Sequence, residues 1–464
     1  MAVSPARAAA IEILLKVERE QSYASELLHS ARFAKLSAAD HGLATELVLG
    51  VLRWRSLLDE RLAAVSSQKL QRLDDEVLAA LRLGIYQLQF LSRVPARAAI
   101  FESVELVKAA RKASAAAFVN AILRKLAKAP AQGTGEGSTA IEDIFATIHS
   151  SADSRTLAQN AAHPEWLVAR WAECYGLEPA RQICAHDQHA PRPAIHIYDG
   201  QSEFQSPDFQ SMDELAGAGI ELAPGRLLAA ARTVLAGDVT RTSAYRQGRI
   251  SIQDEASQLV ALLVGRGDTV LDCCAAPGGK TALLAARNPH ATVFASELHP
   301  HRARLLRSLV RQPNVLVVGA DARQLPFSMA FDRILADVPC SGTGTLARNP
   351  EIKWRLTTGD LNNLQARQIA ILKSALGQLA KGGRLVYSTC SLEREENEEV
   401  VEAALGGASD LSIVDCRTEL EHLRQSGELC VTDIGSFLSG PNLRTLPGIH
   451  PCDGFFASLI EKKK

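Results

Sequence analysis

Apolar residues recur at helical spacing through the first 128 positions, and no strand-like alternation interrupts them. "PARAAAIEILLKVERE" opens with Pro5 near its first turn, which its fixed φ suits, and the spacing places Ala8, Ile11, Leu14 and Leu15 on one face. In "SAADHGLATELVLGVLRW", Ser37 is the expected N-cap. "DDEVLAALRLGIYQLQFL" begins with acidic residues, which favour the positive end of a helix dipole. With "AAIFESVELVKAARK" and "AAAFVNAILRKLAK" the pattern predicts an all-α bundle over residues 1–130.

The pattern then changes twice. Residues 131–155 hold a Gly/Ser/Thr-rich stretch at 133–139 and read as a linker with one short helical piece. Residues 156–250 mix a helix, "HPEWLVARWAECYG", with a strand-like "PAIHIYDG", and predict a small α/β module. From 251 to 464, short apolar runs alternate with amphipathic ones. The spacing predicts strands at 268–274, 291–297, 314–318, 332–338, 383–389, 411–415 and 455–460, and helices at 278–287, 300–311, 359–380 and 394–405. Such alternation implies a doubly wound, mainly parallel sheet, whose ligands bind at the carboxyl ends of the strands.

Charge and cysteine content narrow the class. Net charge is −1, but residues 1–130 hold 19 Lys+Arg against 13 Asp+Glu, and the remainder is correspondingly acidic. A basic helical module fits either a polyanion such as nucleic acid or an ordinary solvated surface. The nine cysteines are odd in number and irregular in spacing, which argues against a disulfide framework. There is no C-x-x-C, and the lone H-x-x-H (His186, His189) has no cysteine partners, so no metal site is expected. No apolar run reaches a membrane span and the N-terminus lacks a secretory pattern, so a soluble, cytoplasmic protein is expected.

Three motifs fall at the predicted carboxyl edge. "DCCAAPGGKT" (272–281) joins a strand to a helix, and Gly278 and Gly279 allow close backbone approach to a ligand. A Walker A loop would need Gly where Cys274 stands, and G-x-G-x-x-G is absent, so neither an NTPase nor a dinucleotide fingerprint fits. Glu297 closes the second strand, where a carboxylate can accept both hydroxyls of a ribose, and Asp321 follows the third, where it can take an adenine amino group. The other two motifs carry cysteines: "DVPCSGTG" with Cys340 and "YSTCS" with Cys390. A nucleotide-type loop with two strand-end cysteines suggests thiol chemistry on a bound substrate.

With "IQDEASQL" (252–259), "DRILADVPCSGTGTLARNPEIKW" (332–354), "GGRLVYSTCSLEREENE" (382–398) and "DGFFASLI" (453–460), these stretches resemble the Sun/RsmB-type bacterial 16S ribosomal RNA (cytosine-5) methyltransferases. The helical part resembles the NusB-like RNA-binding domain of that branch. The resemblance implies a Rossmann-like, seven-stranded, S-adenosylmethionine-dependent methyltransferase domain. Cys274, Ala275, Ala276, Pro277, Gly278, Gly279 and Lys280 would line the methionine and ribose part of the cofactor. Glu297 would hold the ribose and Asp321 the adenine, with Asp337 between cofactor and target base. Cys390 would be the nucleophile and Cys340 the cysteine that assists product release. The implied partner is 16S rRNA, free of or early in subunit assembly, bound by a monomer. The chain departs from the family at Glu297, where Asp is usual, and at His196, where Arg is typical; 406–445 matches nothing in it.

The chemistry needs these residue types. C5 of cytosine is a poor nucleophile until a thiolate adds at C6, and a base must then remove the C5 proton to expel the thiolate. The base must also leave its stack, which single-stranded RNA makes easier. The same chemistry on transfer RNA or another RNA is the alternative, and a non-catalytic RNA-binding factor is the reading from another class. DNA cytosine-5 methyltransferases place their nucleophile in the Pro-Cys motif and lack the two-cysteine layout. Lys353 and Trp354 are candidates for RNA contact, with packing the alternative for Trp354.

Overall fold

The computed structural model describes residues 3–128, 140–198 and 209–464. It divides into two compact units: the chain up to Ala190 with Leu346–Arg355, and Pro191–Thr345 with Leu356–Lys464.

The first unit is helical throughout. Helices Pro5–Glu20, Ala38–Arg53, Asp75–Phe90, Ala96–Ala109 and Ala116–Lys128 form its main bundle. Ser37 caps its helix as expected, its hydroxyl accepting from Asp40 N at 3.1 Å. The first helix buries Ala6, Ala10, Ile13, Leu14 and Val17, while Ala8 is exposed. So many small apolar residues there leave several faces open to burial, and packing against Ala38–Arg53 chooses among them.

The boundaries also differ from the sequence segmentation. The expected linker's Gly/Ser/Thr-rich stretch lies outside the described residues, and its expected short helical piece is present as the helix Ala140–His149. The helices at Ser154–Asn160, Glu165–Tyr175 and Leu177–Asp187 join the helical unit, where they bury Leu157, Leu167, Trp171 and Ile183. Amphipathic helices need an apolar partner, and a helical bundle provides one. Leu346–Arg355 also lies in this unit. Trp354 Nε1 donates to Leu52 O (2.6 Å) and Lys353 Nζ to Arg53 O (3.0 Å). Lys353 is buried, and burial pulls its ammonium down to about 7. Both residues therefore pack here.

The second unit carries two sheets. β1 (Ala194–Ile197), β2 (Glu221–Pro224), β3 (Ala231–Ala236) and β4 (Ile250–Ile252) form a small antiparallel sheet in the order β2-β3-β1-β4. Its core is Ile195, Ile197, Leu215, Val234 and Ile250. The large sheet comprises β5 (Thr269–Asp272), β6 (Thr292–Glu297), β7 (Val315–Gly319), β8 (Phe331–Asp337), β9 (Leu379–Thr389), β10 (Leu411–Val414), β11 (Leu438–Ser439), β12 (Asn442–Arg444) and β13 (Phe456–Lys462). All seven expected strands are present. The sheet nonetheless has nine strands, because β11 and β12 form within the unmatched stretch, β12 pairing with β13 and β11 with β12.

The order is β11-β12-β13-β9-β8-β5-β6-β7, with β10 also on β13. Strands β5 to β9 run parallel, and β13 is antiparallel to β9. The chain moves outward from β5 through β6 to β7, then returns to the other side of β5 with β8. That reversal opens a crevice beyond the carboxyl ends of β5, β6 and β8.

Candidate active site

The loop after β5 forms the floor of this crevice. Ala275 N donates to Ser296 O at 2.9 Å, which ties the loop to β6. Gly278 has φ +120°, and a Cβ built there would sit 2.5 Å from Val310 Cγ2 and 2.8 Å from Leu306 Cδ1. Only glycine satisfies both the backbone and the packing. The helix Gly279–Arg287 then starts with its free N–H groups at the crevice. Gly278→Ala is expected to weaken binding of S-adenosylhomocysteine by about tenfold or more, at a stability cost of about 1–3 kcal/mol. Calorimetry and thermal unfolding measure the two effects separately.

Carboxylates ring the loop. Asp272 is buried at the end of β5 and accepts from Thr281 Oγ1 at 2.7 Å. Burial raises its carboxyl to about 6. Glu297 is 5 % exposed at the end of β6, and its Oε1 accepts from His299 N at 2.9 Å. Asp337 ends β8, pairs with Lys280 Nζ at 2.8 Å and accepts from Ser388 Oγ at 2.7 Å. Burial opposes the charge on Lys280, but Asp337 outweighs it and holds the ammonium above its ordinary value. Asp321 follows β7 and is gripped by Arg323, whose Nη2 donates at 2.6 Å; this ion pair lowers its carboxyl.

The two cysteines meet at the far wall. Cys340 Sγ and Cys390 Sγ are 3.3 Å apart, and both are free thiols, partly buried. They come from loops after neighbouring strands, β8 and β9. Gly344 N donates to Cys390 O (2.9 Å) and Gly454 N to Gly344 O (2.8 Å). A Cβ on Gly344 would lie 2.1 Å from Gly454 O, so the "SGTG" turn seats the Cys340 loop only with glycine at this position. The hydrogen bond to Cys390, then burial, then the nearby charges of Cys390, Glu396 and Asp337 all raise the Cys340 thiol well above its ordinary value.

Other cysteines are set apart from this pair. Cys273 is buried in the core beneath β5, Cys184 in the helical unit and Cys416 beside β13. Cys174 and Cys430 are exposed. His196 is buried in β1 with Nδ1 3.0 Å from Gln258 Oε1, and burial holds it near 4, so it is neutral. Among the described residues no group of three or more His, Cys, Asp or Glu side chains is arranged to hold a metal ion.

Sequence reading missed Ser341, Gln368, Ser388, Ser391 and Glu396, which hold the two cysteine loops and Asp337. Glu396 sits in the acidic run "EREENEE", yet it is fully buried. The position of Ser341 and Ser391, each directly after one of the two cysteines, was the available signal.

The residues present suit an adenosyl sulfonium cofactor. Glu297 and Asp321 set carboxylate acceptors after β6 and β7, of the kind that ribose hydroxyls and an adenine amino group need, and the carboxylates suit a cation. A mostly parallel sheet with an antiparallel β13 beside β9, and such acceptors at its carboxyl edge, fits the class of S-adenosylmethionine-dependent methyltransferases. Residues 259–461 match the family described as 16S rRNA methyltransferase RsmB/F, and residues 4–128 match the NusB family. The chain is 34% identical over 464 residues to the Bacillus subtilis protein named "Probable ribosomal RNA small subunit methyltransferase B", covering 98% of each chain. It is 31% identical over 467 residues to "Ribosomal RNA small subunit methyltransferase B" of Vibrio cholerae, covering 98% and 97%. Among solved structures, PH0851 matches with a TM-score of 0.76 at 22% identity over all of both chains, which shows the shared fold. The chain belongs to the RsmB/F family of methyltransferases, with a NusB domain in front.

Proposed function

We propose that this protein methylates C5 of a cytosine in 16S ribosomal RNA through a covalent adduct between Cys390 and C6. The observation that carries the reading is the 3.3 Å approach of Cys340 to Cys390 beside a cofactor crevice. One thiol makes the C6 bond and a second lies in reach of the same base. When bound, S-adenosylmethionine supplies the electrophilic methyl group.

The residues divide the work as follows. Cys390 Sγ attacks C6 as a thiolate, so the C6–S bond forms and electron density reaches C5. Lys280 lies close enough for its ammonium to interact with a charge on Cys390. Cys340 keeps its proton and donates it to the Cys390 sulfur, which a thiolate accepts best. Asp337, fixed by Lys280 and Ser388, lies between cofactor and base. Once Cys390 is a thioether its charge is gone, and with it one of the influences that held the proton on Cys340. Cys340 then gives up its proton to solvent, its thiolate takes the C5 proton, and the C5–H electron pair forms the C5–C6 double bond as the C6–S pair returns to Cys390.

The basic N-terminal helices serve RNA in this reading. Arg124, Lys125 and Lys128 are exposed on one helix of that unit, as phosphate contacts require. The relatives' names point to small-subunit ribosomal RNA. Bisulfite mapping of RNA from a strain lacking the gene, beside its parent, is expected to show one cytosine of 16S rRNA losing protection. Loss confined to a transfer RNA would keep the chemistry and replace the substrate, and no loss in any RNA would overturn the proposal.

A further inference from the structure

One buried carboxylate joins the two cysteine loops. Glu396 is fully buried on the short helical turn Arg394–Glu396. Its Oε2 accepts from the hydroxyls of both Ser341 and Ser391, the residues that directly follow Cys340 and Cys390. Its Oε1 accepts from Ser341 N at 2.8 Å and from Gln368 Nε2 at 2.9 Å. Gln368 Nε2 also donates to Pro339 O at 2.9 Å, on the other side of Cys340. The two serine hydroxyls are themselves 3.0 Å apart.

We infer that Glu396 is a positioning residue that fixes the separation of the two thiols by bonding the Cys-Ser segment of each loop at once. This rests on the reading that both thiols act on the target base. The physical argument is one of cost. A buried carboxylate is expensive unless its lone pairs are filled, and here four neutral donors fill them. Three of the four come from residues adjacent to a cysteine, so the donors that satisfy the charge also hold the loops. Glu396 touches neither thiol through a bond; it acts through Ser341 and Ser391. Its charge adds to the influences that keep Cys340 protonated, which complements the geometric role.

Shortening the side chain by one methylene separates position from charge. Glu396→Asp keeps the carboxylate but cannot span both serines. A displacement of about 1 Å at a reacting group costs about a hundredfold in rate, so kcat is expected to fall by about that factor. Glu396→Gln keeps the length and is expected to restore kcat to within about tenfold of wild type, since the serine hydroxyls can turn to accept from its amide. A second readout needs no RNA. Diamide takes the hydrogens and electrons of two thiols, becoming the hydrazine, and leaves a Cys340–Cys390 disulfide that peptide mass spectrometry detects. The sulfurs need to close only about 1.3 Å to reach bonding distance, so wild type should oxidise fast. Glu396→Asp should slow this by about tenfold or more, and the milder Ser341→Ala/Ser391→Ala double variant should also slow it, with cofactor affinity within about threefold of wild type.

Wild-type oxidation rate and kcat in Glu396→Asp would overturn the inference. So would a double variant that behaves as wild type in both assays. If the wild-type protein methylates no RNA, the proposed function fails, while the oxidation rates still decide whether Glu396 sets the thiol separation.

Discussion

Cys390→Ala is expected to reduce methyl transfer to RNA by about 10⁴-fold or more, because loss of a nucleophile leaves only the residual effects of binding and orientation. No other group can take its place. Cys340 lies 3.3 Å away, but burial and neighbouring negative charge hold its proton, and the loop is tied by Ser341 to Glu396. Cofactor affinity is expected to stay within about threefold, since the loop Cys274–Lys280, Glu297 and Asp321 are untouched. Tritium transfer from labelled S-adenosylmethionine to RNA, with calorimetry of S-adenosylhomocysteine, separates the two quantities. Turnover within tenfold of wild type would remove Cys390 from the nucleophile's role.

The parts of this site that were legible in the sequence are those whose residue type carries the chemistry. Cys340 and Cys390 announced themselves because each ended a predicted strand in an unusual context, and β8 and β9 do lie side by side with their following loops together. Gly278 was singled out for close backbone approach to a ligand, whereas the structure gives it a packing reason, since a Cβ there would meet Val310 and Leu306. The seven expected strands were legible because each is a short apolar run set off from its neighbours by turn or helix-forming sequence.

What was not legible depends on packing partners far along the chain. Glu396 looks like any residue of an acidic run until Ser341, some 50 positions earlier, is placed against it. Ala8 and the buried stripe of the first helix could not be told apart when five of its first six residues were small or apolar. The strands β11 and β12 are two and three residues long and exist only because β13 presents an edge. Lys353 was a candidate RNA contact, yet it is buried in the helical unit with Arg53 O as its acceptor. The compact units likewise follow contacts rather than composition: the composition shift near 130 is a real change of sequence, but the helices beyond it pack back on helices.

Cys340→Ala is expected to trap the protein on RNA, whereas Cys390→Ala should not. The two sulfurs share a wall but face different steps. Addition at C6 needs only the Cys390 thiolate, so the adduct forms without Cys340, though more slowly for want of the Cys340 hydrogen bond. C5 then receives its methyl group and loses no proton, because the group placed to accept it is gone. With the C5 proton in place the C6–S bond cannot eliminate, and the adduct persists. Alanine is smaller than cysteine, and the carboxylate clamp on Ser341 remains, so the loop keeps its place. The measurement is a denaturing gel of each variant incubated with substrate RNA and S-adenosylmethionine. Cys340→Ala should give a slow, RNase-sensitive band, and the double variant should match Cys390→Ala by giving none. A band from Cys390→Ala with none from Cys340→Ala would exchange the two assignments, making Cys340 the nucleophile and Cys390 the group that resolves the adduct.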